Sequence, residues 1–474
     1  MDAVDQAALV DKGEVTPGEL LDAAIERIER LNPALNAVVI EWFSDARATA
    51  ADPLPEGALR GVPFLLKDLS TTFARQALSN GNRALKEAAI VDSADTTLVS
   101  RYRAAGLVIA GRTNSPEFGS LPTTQPLAWG PTRNPWALDR TSGGSSGGAA
   151  AAVAAGMVPI ANASDGGGSI RIPASCCGLV GLKPSQGRTS VGPMRAEVAL
   201  GVEHCVSRSV RDTAVLLDAV CGPAVGDSVI APAPARPFVE ELGSSPGRLR
   251  VGLMDVHPRG EFLDSACVDA ARAAAGMLEG LGHTIEVGWP AALADETLPH
   301  KFMTLWATQL AMAARSVSEA IGREVTADDL EPVNWIQVEY AHKYSAVDLA
   351  VAQAAMHTFR RNVQQWWADG WDLLLTPTLA ERPPPLEEFA SNPDDPAAPM
   401  RRAGRFCPFT PAFNMSGQPA ISLPLHWSDD GLPVGVQLAA AYGREDLLLR
   451  VASQLESAHP WADRHPPDSR SRTR

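Results

Sequence analysis

The sequence predicts an α/β fold, because short apolar runs typical of strands alternate with amphipathic stretches typical of helices. Strand-like runs lie at 61–66 (GVPFLL) and 107–110 (LVIA), and strand and helix patterns alternate to about residue 220. The 474 residues are 45% hydrophobic, which is ample for a sizeable core. We find no internal repeat, so the sequence predicts one large unit rather than a repeat array.

The first predicted element is a helix that begins at Thr16-Pro17. Thr16 is a capping residue, Pro17 suits the first helical position and Glu19 completes a capping box. An apolar stripe then runs from Leu20 to Leu31, and Asn32-Pro33 is predicted to end the helix.

The second half of the chain continues the alternation after a Pro-, Ala- and Gly-rich connection at 222–248. Residues 300–365 are predicted to be mostly helical, and a Pro-rich loop is predicted at 382–400. The remaining predicted elements are strands at 248–255, around 284–288, in WDLLLTPTL and in GLPVGVQLAAA, and helices at 264–281 and in REDLLLRVASQLE.

Charge and composition limit the partners and the compartment. The chain has 41 basic and 55 acidic residues, a net charge of −14, which disfavours nucleic acid because phosphate binding needs clustered Lys and Arg. The start of the sequence lacks a signal-peptide pattern, and glycines and Pro159 interrupt the uncharged stretch 141–164, so no membrane partner is predicted. Six cysteines without a C-x-x-C or zinc pattern predict free thiols, a cytoplasmic location, no metal and no cofactor.

Two glycine-serine segments dominate the middle of the chain, at 143–148 (GGSSGG) and 165–171 (DGGGSIR). Neither continues to Gly-Lys-Ser/Thr, so a phosphate loop is excluded. Gly143-x-Ser145-x-Gly147 fits a nucleophile elbow only weakly, because no buried strand precedes it and no His lies before His204. The segments instead supply hydroxyl nucleophiles and backbone donors for an acyl-transfer site, with two ordinary tight turns as the alternative.

A serine without a nearby His needs another base, and a neutral lysine can serve. Only six lysines are present, and five of them look ordinary in sequence: Lys12, Lys86, Lys183, Lys301 and Lys343. Lys67 follows the apolar run VPFLL, where burial would disfavour an ammonium and favour a free amine. The alternative is a lysine at a strand end with its ammonium in water.

These motifs together resemble the amidase signature family: GVPFLLKD, GGSSGG and DGGGSIRIP, with Ser145 and Ser169 24 residues apart. The resemblance also covers GRTNSPEFG, TRNPW, GLVGLKPSQGR, WDLLLTPT and FNMSGQPAISLP, from about residue 10 to 460. Within the family the chain is most similar to the nylon-oligomer amidases. The resemblance implies a single large domain with a mixed central β-sheet covered by helices on both faces.

The resemblance also implies a Ser-Ser-Lys triad. Ser169 matches the nucleophile, Ser145 the bridging serine that follows a cis peptide bond, and Lys67 the general base. The backbone N–H groups of Gly166, Gly167, Gly168 and Ser169 match the oxyanion hole.

The implied function is a serine amidohydrolase that cleaves carbon–nitrogen bonds of small or oligomeric amides, including 6-aminohexanoate-type oligomers. A carbamate (urethane) or ester hydrolase with the same triad stays open. An alternative of another class is the glutaminase subunit of a transfer-RNA amidotransferase. The predicted partner is a small-molecule amide substrate, and a homodimer stays open.

The sequence further predicts an amidase domain at 1–463, with the core motifs at about 60–190, a substrate-shaping helical region at about 300–365 and a disordered tail at 464–474. Arg171 and Asp165 are predicted to form a buried ion pair, and Cys176-Cys177 to be buried and unreactive. Trp366, Trp367 and Trp371 are interpreted as core. Trp306 is also assigned to the core, with a pocket wall as the alternative.

Overall fold

The structure is a computed structural model that describes residues 1–193 and 200–467. The α-helices of these residues are α1 (Ala3–Asp11), α2 (Pro17–Leu35), α3 (Phe43–Ala51), α4 (Arg83–Ala88), α5 (Thr97–Ala104), α6 (Gly147–Ala154), α7 (Arg171–Cys177), α8 (Val210–Val220), α9 (Ser265–Gly280), α10 (Leu298–Ile321), α11 (Pro332–Ala341), α12 (Ala346–Ala368), α13 (Ala398–Phe406), α14 (Pro411–Ser416) and α15 (Glu445–Ala458). The strands are β1 (Val38–Glu41), β2 (Pro63–Lys67), β3 (Val108–Thr113), β4 (Arg133–Asn134), β5 (Ala137–Thr141), β6 (Ile160–Asp165), β7 (Val180–Lys183), β8 (Val202–Ser207), β9 (Arg250–Leu253), β10 (Thr284–Val287), β11 (Leu373–Pro377), β12 (Ala420–Trp427) and β13 (Pro433–Ala440).

Eleven strands form one mixed sheet in the order β1-β3-β2-β6-β8-β7-β12-β13-β11-β9-β10. The pairs β3–β2, β2–β6, β11–β9 and β9–β10 are parallel, and the others are antiparallel. β4 and β5 form a separate two-stranded ribbon. The mixed central sheet agrees with the predicted fold class.

Helices cover both faces of this sheet, as the alternation of side chains along β2 shows. Leu65 packs into a cluster with residues of α2, α6 and α7. Phe64 and Leu66 point the opposite way, into a cluster with residues of α5 and α8. Successive strand residues face opposite sides of a sheet, so a strand apolar on both sides must be covered on both.

The capping box at Thr16 and Glu19 is present as predicted, but the predicted end of α2 is wrong. The helix passes through Pro33 and ends at Leu35, where Asn36 adopts a left-handed conformation (φ 51°) and its N–H donates to the Asn32 carbonyl at 2.7 Å. A proline removes one N–H but does not prevent the last turn from closing around it.

Two other sequence predictions concern the C-terminal half. The predicted Pro-rich loop at 382–400 contains a 3₁₀ turn at Leu386–Phe389 and the start of α13. In the predicted tail, the Arg464 guanidinium lies 5.1 Å from the Trp427 ring centre, while residues 468–474 lie outside the described residues. None of the helices described over 1–193 and 200–467 has the length and apolar character needed to cross a membrane.

Candidate active site

Lys67 and two serines meet at one edge of the sheet. β2 and β6 pair in parallel, so their carboxyl ends lie together, with Lys67 ending one strand and Ser164 near the end of the other. The Lys67 Nζ lies 2.6 Å from Ser145 Oγ and 2.9 Å from Ser164 Oγ. Lys67 is fully buried, so its amine belongs to this polar cluster rather than to solvent.

Ser145 stands just before α6 and follows a cis Gly144-Ser145 peptide bond, as the resemblance implied. Gly144 has no room for a side chain, since a Cβ there would lie 2.4 Å from the Thr123 nitrogen. Thr124 Oγ1 donates to the Gly143 carbonyl at 3.0 Å and accepts from the Gly147 N–H at 3.1 Å. These contacts fix the backbone that presents the Ser145 hydroxyl.

Ser169 lies in the loop between β6 and α7 and is 7% exposed. Gly168 has a φ of +133°, and a Cβ at this position would lie 2.3 Å from Thr410 Oγ1. Thr410 Oγ1 donates to the Gly167 carbonyl at 2.7 Å. The loop is therefore held on the C-terminal part of the chain, and only glycine fits at Gly168.

The Gly168 N–H is not a free donor, although the sequence placed it in the oxyanion hole. It donates to Asp165 Oδ1 at 2.8 Å, so it is engaged within the loop. A donor that already bonds a carboxylate is not available to an oxyanion. The candidate donors among the predicted residues are thus the N–H groups of Gly166, Gly167 and Ser169.

Asp165 and Arg171 form the predicted buried ion pair, with Nε–Oδ2 and Nη2–Oδ1 distances both 2.9 Å. Burial alone would raise the pKa of Asp165, but the Arg171 guanidinium and other donors outweigh it and lower the pKa to about 2. Arg171 also donates to Gln437 Oε1 and Asn414 Oδ1, at 2.7 and 2.8 Å. This charged network holds the base of the Ser169 loop.

Two clefts meet at Ser169. One is apolar, has a volume of about 160 Å³ and runs past Phe302, Met303 and Met415. The other is wider, about 430 Å³, and its walls include Ser145 and Ser164. Ser169, Gly119 and Trp306 border both clefts, so a substrate on Ser169 can extend in two directions.

Trp306 packs against two of the core clusters and also borders both clefts, so the core assignment holds in part and the pocket-wall alternative holds as well. Its ring stacks on Phe302 with centres 5.2 Å apart. A Cβ on Gly166 would lie 3.3 Å from the Trp306 ring, and one on Gly167 would lie 3.3 Å from Phe302. The aromatic pair therefore covers the glycines of the predicted oxyanion segment. In the sequence, only the position of Trp306 in the predicted helical region 300–365 indicated this role.

Lys183 and Ser164 are the polar residues that the sequence analysis missed. Lys183 is fully buried, although it was interpreted as an ordinary lysine. Burial and the nearby Arg171 charge lower the pKa of Lys183 to about 7. Lys183 directly follows the apolar run LVGL, just as Lys67 follows VPFLL, so the same sequence pattern indicated its burial.

The other sequence assignments in this region are confirmed. Cys176 and Cys177 are fully buried, and burial raises the pKa of the Cys177 thiol far above that of a reactive thiol. Trp367 is 7% exposed, and Trp366 stacks on Trp371 with ring centres 4.6 Å apart. These side chains contribute packing rather than chemistry.

The chain belongs to the amidase family, whose family model matches residues 19–449. It is 44% identical to the 6-aminohexanoate-cyclic-dimer hydrolases of Pseudomonas sp. (strain NK87) and Paenarthrobacter ureafaciens, over 98% of this chain and 96% of each relative. A solved structure of a 6-aminohexanoate cyclic dimer hydrolase complexed with substrate superposes with a TM-score of 0.94, at 42% identity over 98% of both chains. The protein is thus an amidase that hydrolyses carbon–nitrogen bonds of a small-molecule amide.

Proposed function

We propose that the amidase acts through an acyl-enzyme on Ser169, with Ser145 as the proton relay and Lys67 as the general base. The observation that carries this proposal is the 2.6 Å contact between the Lys67 Nζ and the Ser145 Oγ. Ser145 borders the wide cleft, which Ser169 also borders. Ser164, 2.9 Å from the same Nζ, orients the amine. A buried amine within hydrogen-bond reach of a hydroxyl is the arrangement that a lysine base requires.

The proposed reaction has two halves. Ser169 attacks the amide carbonyl while its proton passes to Ser145, and the Ser145 proton passes to Lys67. The N–H groups of Gly166, Gly167 and Ser169 stabilise the oxyanion, and the proton then returns through Ser145 to the leaving amine. Water next attacks the acyl-Ser169 ester by the same proton path and releases the acid. One oxyanion donor contributes roughly 10²–10³ in rate, so the backbone geometry of this loop matters more than its side chains.

We propose that the substrates include 6-aminohexanoate-type oligomers. The 44% identical relatives are named 6-aminohexanoate-cyclic-dimer hydrolases. The apolar cleft of about 160 Å³ also fits a six-carbon fragment, since an engineered apolar cavity of roughly 150 Å³ binds benzene.

The same triad can act on carbamates and esters, because all three substrates pass through an acyl- or carbamoyl-serine. Turnover of an anilide, an aryl carbamate, an aryl ester, glutamine and a 6-aminohexanoate oligomer would rank these activities. A dominant glutaminase activity that needs a partner protein would favour the amidotransferase alternative.

The decisive experiment for the mechanism is mass spectrometry of the protein quenched during turnover. We expect the acyl group on Ser169, no adduct in Ser169→Ala, and losses of about 10²–10⁴ in kcat for Lys67→Met. Ser100→Ala, an exposed serine on α5, is the matched control and should keep full activity. An adduct on another residue, or near-wild-type turnover by Lys67→Met, would overturn the proposed triad.

Three wider proposals accompany the mechanism. Residues 1–463 act as one catalytic domain, which the bonds from Arg171 to Asn414 and Gln437 support. The protein acts in the cytoplasm, without nucleic acid or membrane partners, which six free cysteines and the net charge of −14 support. Light scattering of the purified protein would test for a homodimer.

A further inference from the structure

The two clefts that meet at Ser169 carry opposite charges. Among the described residues that line the apolar cleft, Arg259 is the single charged side chain. Among those that line the wide cleft, Asp92 is the single charged side chain. A linear substrate that spans both clefts therefore meets a cation on one side of its scissile bond and a carboxylate on the other.

Hydrogen bonds fix the backbone turn that carries Arg259, but the Arg259 guanidinium makes only a long ion pair with Glu261. The N–H groups of Arg259 and Glu261 donate to His257 Nδ1 at 3.1 and 3.2 Å, and His257 is 4% exposed. The Arg259 side chain is 21% exposed, and its Nε lies 3.5 Å from a Glu261 carboxylate that is 46% exposed. Ion pairs of this kind contribute little, so a substrate carboxylate can compete for the guanidinium.

Asp92 is held more firmly than Arg259. Its carboxylate is 17% exposed, lies 3.6 Å from the fully buried Arg112 Nη2, and accepts from the Phe73 N–H at 3.2 Å. Arg112 is itself held in place, because it also donates to the Ala77 carbonyl at 2.7 Å and the Lys67 carbonyl at 3.1 Å. Arg259 is therefore the charged group more open to a substrate, and the Asp92 carboxylate favours a cationic group at the opposite end of that substrate.

We propose that Arg259 is a specificity-determining residue that binds the terminal carboxylate of a linear aliphatic amide in the apolar cleft. The inference rests on the proposed acyl-enzyme chemistry. In a linear ω-amino acid oligomer, the scissile nitrogen belongs to the half that ends in a carboxylate, and the carbonyl belongs to the half that ends in an ammonium. The amine half thus lies in the apolar cleft with Arg259, and the acyl half lies in the wide cleft on the side of Asp92.

The test compares N-acetyl-6-aminohexanoate with N-hexylacetamide, which lacks the carboxylate. We expect Arg259→Gln to raise KM for the first about tenfold, the loss of one charge-assisted contact, and to leave KM for the second unchanged. Glu261→Gln should lower KM for the first, because it removes the competing carboxylate. Arg272→Gln, an exposed arginine that lines neither cleft, is the matched control.

The orientation is tested with two anilides, of 6-aminohexanoate and of adipate, which carry an ammonium or a carboxylate on the acyl half. We expect the wild type to prefer the first. A preference for the adipate anilide that Arg259→Gln abolishes would reverse the orientation and overturn the assignment. Equal effects of Arg259→Gln on charged and neutral substrates would overturn the role of Arg259. Failure of the wild type to form any acyl-Ser169 would instead overturn the proposed function.

Discussion

Lys67 is held at both its backbone and its amine. Its N–H donates to Asn162 Oδ1 at 3.1 Å, and its Nζ contacts Ser145 and Ser164. Ser145 and Ser164 are both nearly fully buried, so little water can replace either contact. Two fixed oxygen partners restrict a flexible side chain to one direction, and that direction is toward the proposed relay.

Removing the Ser164 hydroxyl tests whether this orientation matters. We expect Ser164→Ala to lower kcat about tenfold with KM nearly unchanged, since a single hydrogen bond contributes about 0.5–1.5 kcal/mol. Ser164→Thr keeps the hydroxyl and is expected to retain most of the activity. Steady-state kinetics on an anilide, with circular dichroism to check folding, would measure both. Full activity in Ser164→Ala would show that Ser145 alone orients the amine.

Residues that stand in a motif could be named as site candidates from the sequence, and the structure brings them to one cleft, while their catalytic roles stay predictions. Lys67, Ser145 and Ser169 each stand in a motif, although 78 residues separate Lys67 from Ser145. Ser164 was missed because a serine inside an apolar strand looks like any other strand residue. Arg259 could not be predicted, since its loop carries no motif and only the fold brings it to the apolar cleft.

At the scale of elements, α10 lines both clefts and α11 packs against α10. α11 is anchored by Glu117, which accepts from the Glu331 N–H at 2.8 Å and from Asn334 Nδ2 at 2.7 Å. Glu117 directly precedes Phe118 and Gly119, which border the wide cleft. The sequence predicted helices here, but helical periodicity does not reveal which side chains face a cleft. The anchor therefore became visible only in the structure.

Glu331 makes the attachment of α11 depend on pH. Burial and the neighbouring Glu117 raise the pKa of Glu331 to about 8, above the value of roughly 4.3 for an unfolded chain. The folded state thus binds the Glu331 proton more tightly, so this group contributes stability at low pH that is lost as pH rises through about 8. We expect the Tm of the wild type to fall from pH 5 to 8.5, and that of Glu331→Gln to fall less.

Glutamine is a suitable replacement, because it still accepts from the Leu127 N–H that Glu331 Oε1 binds at 2.7 Å. Part of the slope should remain in the variant, since Asp212 and Glu456 also have a pKa raised to about 7, mainly by burial. Glu324→Gln, at an exposed position, is the control. Identical slopes for the wild type and Glu331→Gln would contradict the assignment.

At the scale of the whole molecule, the catalytic half of the sheet joins the C-terminal half where β7 pairs with β12. Lys183 lies at this seam, opposite Ala420. Beside it, Glu445 on α15 forms a buried ion pair with Arg188 at 2.9 Å and accepts from the Ser185 N–H at 2.8 Å. The order of strands across this seam is not readable from the sequence, because the paired segments are far apart in the chain.

Lys183 and Lys67 are both buried, yet their amines lie in different surroundings. Lys183 Nζ donates to the Pro184 carbonyl at 2.9 Å, and Lys183 does not line either cleft at Ser169. Because its folded pKa of about 7 is below the unfolded value of roughly 10.4, the unfolded state binds more protons between these values. The contribution of Lys183 to stability therefore rises with pH across this window, and the cost of its buried charge is fully present below pH 7.

Lys183→Met, which replaces the amine by an apolar group of similar length, tests this separation of roles. We expect the variant to have a Tm a few degrees above the wild type at pH 6, a difference that shrinks as pH rises toward 10, and a kcat within about threefold of the wild type. Thermal unfolding at several pH values and kinetics on one anilide would measure both. A folded Lys183→Met protein with the activity loss of Lys67→Met would contradict this separation of roles.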